Sequence, residues 1–181
     1  MRIGIVGTVY FNVIIKPDKE FDSLGFGSGY AETCFSSESV ELAKKLATEH
    51  EVTFITSVNN PAHKRILKHY NINTDYISYE QHGTGFKVLF DGEEQKSIIS
   101  SPLTPLVMDT FRTQEKKIFD NLDIMILSYF NMNIIKMCRA HKVKIYLQLE
   151  KGEDLDLDEH ELRVARRIPT ISLDNYEEVI K

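Results

Sequence analysis

The chain has 181 residues, 42 % hydrophobic and 27 % charged, which is long enough to bury a core and too apolar for a disordered segment. A net charge of −5 speaks against a dedicated nucleic-acid surface, and no apolar run reaches the roughly 20 residues that cross a bilayer. The two cysteines, Cys34 and Cys138, make neither a disulfide framework nor a cysteine zinc site, so a reducing cytoplasm is expected. The strand-like start at Arg2 leaves no secretory signal to expect ahead of it.

Strand and helix signals alternate along the chain. Residues 2–6 (RIGIV) form a short apolar run ending at Gly7, as in a buried parallel strand. Residues 11–15 (FNVII) form a second β-rich run that Pro17 is expected to stop, and a stretch with Gly25, Gly27 and Gly29 reads as loop and edge strand. Residues 37–48 (SESVELAKKLAT) carry helical spacing with Ser37 as cap. A strand over 51–55 follows, then a helix over 61–70 with the Asn60-Pro61 cap pair, then a short strand over 75–78. Runs 86–90 and 95–100 flank Asp91-Gly92, a hairpin signal. The remaining expectations are a helix over 104–119, a strand over 123–128, a helix over 133–141 and a strand over 143–149. A charged helix over 153–167, a strand over 170–173 and a helix starting at Tyr176 complete the chain.

This order predicts an α/β fold, a Rossmann-like and mostly parallel sheet flanked by helices. The extended run after Gly7 and the Asp91-Gly92 hairpin do not fit that alternation, so they should form a separate small β-sheet above the strand ends.

Several motifs have plain structural readings. Gly4-Ile5-Val6-Gly7 could open a dinucleotide site, but a β-prone run follows Gly7 where that fingerprint needs a helix. His63 and His69 are six apart on one helix and share no face, so solvated side chains are expected rather than metal ligands. Neither cysteine has an obvious histidine partner, and both read as small side chains. Asp154, Asp156, Asp158 and Glu159 lack the glycine and distal glutamate of a calcium loop and fit the start of a helix. Asn175 and Glu178, spaced as in a capping box, sit just past a predicted strand, where α/β sheets place ligands.

Taken together, these features resemble the ribokinase (PfkB-type) carbohydrate kinase family. Residues 2–12 (RIGIVGTVYFN) look like its first strand and first lid strand, and residues 42–77 like its next helix, strand and helix. Thr84-Gly85-Phe86 with KVLFDGEEQKSII looks like the lid hairpin, Asp123 to Ser128 like a later strand, and Asn175 with Glu178 like its Asn-x-x-Glu motif. The resemblance implies one ribokinase-like domain over 1–181 with lid segments at about 10–30 and 84–101. It implies substrate contacts from Asn12, Gly27, Ser28, Gly29 and Thr84, and a phosphate- and magnesium-linked role for Asn175 and Glu178.

The departures are as informative. Asn12 stands where the family has an aspartate that holds sugar hydroxyls, Thr33-Cys34 where it has Gly-Gly, and Asn59 to Lys64 where it has Gly-x-Asp-x-x-Gly. The chain carries no Gly-Ala-Gly-Asp-type anion hole and no catalytic base. A degenerate homologue is therefore expected, inactive alone and binding a sugar, a nucleoside or a partner. ATP and magnesium would bind only if the missing half were supplied, as in a fragment or split enzyme. A third reading is a structural module that forms homodimers through its lid strands, 11–16 and 86–100.

Overall fold

The computed structural model describes residues 1–21, 27–90, 93–98, 103–148 and 157–180. Five parallel strands make the main sheet: β1 (Arg2–Val6), β4 (Glu51–Val58), β5 (Ile77–Tyr79), β8 (Ile124–Leu127) and β9 (Lys144–Leu147). Their order is β5-β4-β1-β8-β9. The chain leaves β1 towards β4 on one side and later returns to place β8 on the other. The crevice beyond the carboxyl ends of β1 and β8 is thus the topological switch point, the place where open α/β sheets bind ligands.

Side-chain alternation along these strands splits the core into two layers. Ile3, Ile5, Phe54, Ile126 and Tyr146 pack under α1 (Glu38–Leu46), α2 (Pro61–His69) and the one-turn α7 (Tyr176–Val179). On the other face Val6, Ile55, Met125 and Leu127 meet α3 (Pro105–Thr113), α4 (Glu115–Phe119), α5 (Met132–Ala140) and α6 (Glu159–Ala165). At the amino ends of the strands, the backbone N–H and guanidinium of Arg2 hold the Asp123 carboxyl below the usual carboxylate range and lock β1 to β8.

The remaining strands form a separate mixed sheet of order β3-β2-β6-β7: β2 (Tyr10–Phe21), β3 (Gly27–Ser36), β6 (Gly85–Phe90) and β7 (Glu93–Ile98). β6 and β7 are antiparallel, and Asp91-Gly92 between them lies outside the described residues. β3 is an edge strand, as the glycine-rich stretch suggested, with β7 at the other edge.

Several boundaries differ from the sequence reading. β2 does not stop at Pro17 but runs on to Phe21, with a register shift between those residues. Among the described residues, β2 pairs past Ile15 with β3 alone, which leaves room for the missing proline N–H. The helix expected over 104–119 breaks at Gln114. Thr110 and Thr113 donate their hydroxyls back to Leu106 and Asp109 carbonyls one turn earlier, a pattern that bends helices. The strand expected over 170–173 reduces to an isolated bridge between Thr170 and Leu147. The charged helix begins only at Glu159, with Asp158 and Glu161 forming its capping box, while Asp154 and Asp156 lie outside the described residues.

Gly7 shows why β1 is followed by a turn that no other residue type fits. A Cβ there would lie 2.4 Å from Ser39 Cβ of α1 and 3.1 Å from the Phe54 ring. Gly7→Ala is expected to destabilise the fold by about 1–3 kcal/mol through overpacking, read as a lower urea midpoint with unchanged slope.

Candidate functional site

The link from β1 to β2 carries the chain from the switch point straight into the small sheet. Ser37 fastens it: its Oγ donates to the Thr8 carbonyl (2.6 Å) and accepts the Val40 N–H (3.0 Å), capping α1 as expected. β6 joins at the same place, with Gly85 N–H bonded to the Val9 carbonyl at 2.8 Å.

Strand register then sorts the small sheet into two faces. Asn12 is opposite Cys34 on β3 and Lys87 on β6, and Tyr10 is opposite Ser36, so these side chains share one face. Tyr10, Asn12, Ser36 and Lys87 converge with Ser37, Glu38 and Leu89 on a cavity of about 220 Å³ at the mouth of α1. Phe11, Phe35 and Phe86 share the other face, where the Phe11 and Phe86 rings stack with centroids 6.3 Å apart.

Asn12 is the chemical centre of the polar face. It is buried, and its Nδ2 donates to the Ser36 carbonyl (3.3 Å) and towards Cys34 Sγ (3.6 Å). Its Oδ1 accepts no hydrogen bond among the described residues and remains an open acceptor at the cavity. Behind the rim, Ser36 Oγ donates to Glu41 (2.5 Å), which also takes Lys44 Nζ at 2.8 Å. Burial pushes the Glu41 carboxyl up, but the Lys44 and Ser36 bonds and the charges of Lys44 and Lys45 outweigh it and leave it below the ordinary value. Lys87 Nζ lies 4.4 Å from the centre of the Tyr10 ring, so the rim offers an ammonium, a carboxylate, hydroxyls and an open amide oxygen within one small hollow.

The other residues singled out from the sequence fall elsewhere. Thr84 sits on the Phe35 side, where its Oγ1 accepts Asn59 N–H (3.1 Å) and meets His63 Nδ1 (3.2 Å). His63 is not solvated as expected: it is buried, because its ring stacks on Phe35 with centroids 4.1 Å apart. Gly27, Ser28 and Gly29 lie at the far end of β3, where Gly29 pairs with Pro17. At the usual strand rise they are roughly 17 Å or more along β3 from Cys34. Asn175 makes no side-chain cap. Its Oδ1 accepts the Ser172 N–H (2.7 Å), so the expected capping box with the exposed Glu178 is not formed. The next residues, Tyr176 and Glu177, line a larger hollow of about 520 Å³ with Met1, Lys45 and His50, at the amino ends of β1 and β4 and away from the switch point. Neither Asn175 nor Glu178 lines the Asn12 cavity, and among the described residues no cluster of three or more His, Cys, Asp or Glu could hold a metal ion.

Tyr10, Ser36, Glu38, Glu41 and Lys87 were not picked out from the sequence. Only the register that sets Asn12 against Cys34 and Lys87 could have found them.

No family model matches the sequence, and no curated protein matches it. Solved structures do match the fold. Arabidopsis thaliana ribokinase complexed with ribose and ATP superimposes with a TM-score of 0.60 at 15 % identity, over 99 % of this chain and 66 % of that one. Xylella fastidiosa fructokinase with bound ATP gives 0.63 at 13 %, over 84 % and 55 %. An uncharacterized sugar kinase from Pyrococcus horikoshii in complex with ATP gives 0.58 at 14 %, over 92 % and 56 %. The chain has the ribokinase-like α/β fold and spans between about half and two-thirds of the length of these structures. No described helix is long and apolar enough to cross a membrane.

The two thiols differ sharply. Cys138 is buried in α5 and burial pushes its pKa up to about 12, whereas Cys34 is half-buried on β3. Iodoacetamide at pH 8 is expected to alkylate Cys34 in the native protein and to reach Cys138 only after denaturation, as mass spectrometry of the digested product would show.

Proposed function

We propose that these 181 residues form a ribokinase-like binding unit for a small polyhydroxylated molecule, with the small sheet acting as its lid. The observation that carries this reading is the buried Asn12 amide, whose Nδ2 is spent on the Ser36 carbonyl while its Oδ1 stays open at the cavity. A hydroxyl both donates and accepts. It can give its proton to Asn12 Oδ1 and take one from the Lys87 ammonium on the rim, which carries three N–H donors. A cavity of about 220 Å³ is below the roughly 300–1,000 Å³ of pockets for drug-sized ligands, so a monosaccharide, or the ribose of a nucleoside, suits it better than a nucleotide. The neighbours named for sugar kinases, one holding ribose, support the same ligand class.

The unit by itself binds and does not transfer phosphate. Phosphoryl transfer needs groups that cradle the transferred charge and a base that takes the hydroxyl proton. The 181 residues contain no Gly-Ala-Gly-Asp-type segment, and Asn175 is engaged with its own backbone away from Asn12. If a further segment or partner chain supplies those groups, the same sugar site serves an ATP-dependent kinase. Two unpaired thiols and the net charge of −5 fit a cytoplasmic protein that binds neither membrane nor nucleic acid.

A thermal-shift series with ribose, fructose, adenosine and Mg-ATP tests this reading. A sugar or nucleoside at about 100 times its Kd should add about 2.7 kcal/mol, or roughly 5–10 °C in Tm. Asn12→Ala should abolish that shift. No shift with any sugar or nucleoside, or ADP formation by the chain alone, overturns it.

A second reading concerns assembly. Phe11 is 36 % exposed beside Phe86 on the face of the small sheet opposite Asn12, a surface that suits pairing with the same residues of a second copy. Light scattering should then find a dimer that Phe11→Lys converts to a monomer, and a wild-type monomer at high concentration rejects it.

A further inference from the structure

We propose that His63 is the latch that seats the lid on the strand ends, and that adding a proton to its Nδ1 releases the lid. The inference goes beyond the ligand reading and does not rest on it.

His63 is the third residue of α2, directly after the carboxyl end of β4, and belongs to the α/β body. Two parts of the lid grip its ring. Phe35 of β3 covers one face at 4.1 Å with the planes 21° apart, and Thr84, the residue before β6, meets Nδ1 at 3.2 Å. Thr84 is itself tied to the body, because its Oγ1 accepts the N–H of Asn59 at 3.1 Å. The loop that brings it there has no slack: a Cβ on Gly83 would lie 2.6 Å from the Val58 nitrogen of β4. The end of β3 and the start of β6, where the chain passes between lid and body, are thus held at one imidazole.

The direction of the hydrogen bond makes this grip depend on charge. With Nδ1 unprotonated, a single relay runs from Asn59 N–H to Thr84 Oγ1 and from the Thr84 hydroxyl to His63 Nδ1. A proton on Nδ1 turns that nitrogen into a donor, so the contact survives only reversed, onto the second lone pair of Thr84 Oγ1, and the Thr84 hydroxyl proton loses its acceptor. Phe35 can attract an imidazolium, so the charge-sensitive element is the Thr84 bond rather than the stack. Burial holds the pKa of His63 below its ordinary value. The titratable side chains on the surrounding elements are Lys64 and Arg65 on α2, Tyr79, Glu80 and His82 before Thr84, and Glu38 and Glu41 on α1. Burial alone accounts for the shift.

The sign follows from linkage. A histidine whose pKa is depressed when the lid is seated favours the seated form above the ordinary value of about 6.5, and that preference is lost as pH falls through the seated pKa.

NMR between pH 8 and 5 on the ligand-free chain tests the latch. His63 should titrate below about 6.5. At its midpoint its ring protons should lose the upfield displacement caused by Phe35, and the Asn59 amide should lose protection several-fold after correction for intrinsic exchange. The Ile5 and Ile126 amides of the main sheet should stay protected. In His63→Gln, whose side-chain oxygen can still accept from Thr84 but cannot titrate, Asn59 protection should not vary with pH. If that variant fails to fold, the wild-type titration decides alone. Flat Asn59 protection through the His63 titration, the same pH dependence in His63→Gln, or loss of Ile5 and Ile126 protection in step with Asn59 overturns the proposal. Because no ligand is present, this outcome is independent of whether a sugar binds.

Discussion

The hydroxyl of Ser37 sits where three parts of the molecule meet. It accepts the Val40 N–H, which starts α1, and donates to the Thr8 carbonyl, which ends the path out of β1. β3 ends one residue before it, at Ser36. One side chain thus closes a circuit that leaves the main sheet at β1, traverses the small sheet and returns to the body at α1. The cavity around Asn12 lies along that circuit, lined by residues of β2, β3, β6 and the start of α1. An unsatisfied carbonyl and an uncapped helix would face each other without it, each costing about 1 kcal/mol or more.

Within the circuit, polarity is divided by strand register. Alternation along β2 sends Tyr10 and Asn12 to the cavity and Phe11 to the opposite face, and β3 and β6 follow the same division. A one-residue slip would exchange the two faces. The same register accounts for the state of Asn12. Its amide hydrogens are used within the sheet, so what remains for a ligand is an acceptor, as an aspartate would offer, but without the negative charge.

The opposite face is where the small sheet is held down. Phe35 and Thr84 converge on His63, and the tight approach of Gly83 to β4 positions the second of them. The cavity-side and body-side contacts of the small sheet thus use different faces and different chemistry, hydrogen-bonding on one and stacking around a titratable ring on the other.

The alternation of apolar runs and helical spacings was enough to read the layered α/β fold, the extra β segments, and the caps at Ser37 and Asn60, because these follow from local periodicity and from backbone groups a few residues away. Asn12 was legible as a candidate site residue only through resemblance. Its partners were not, since Ser36, Glu38 and Lys87 lie 24, 26 and 75 positions further on and meet it only through the pairing of β2 with β3 and β6. The misreadings have the same origin. Spacing alone made Asn175 and Glu178 a capping box, yet the turn at Ser172 captured the Asn175 side chain first. His63 looked solvated by its place on a polar helix, and a phenylalanine 28 residues earlier buried it. Local hydrogen-bonding and apolar periodicity are written along the chain, whereas burial, charge state and the sharing of a cavity depend on strand order and register, which only the tertiary structure decided.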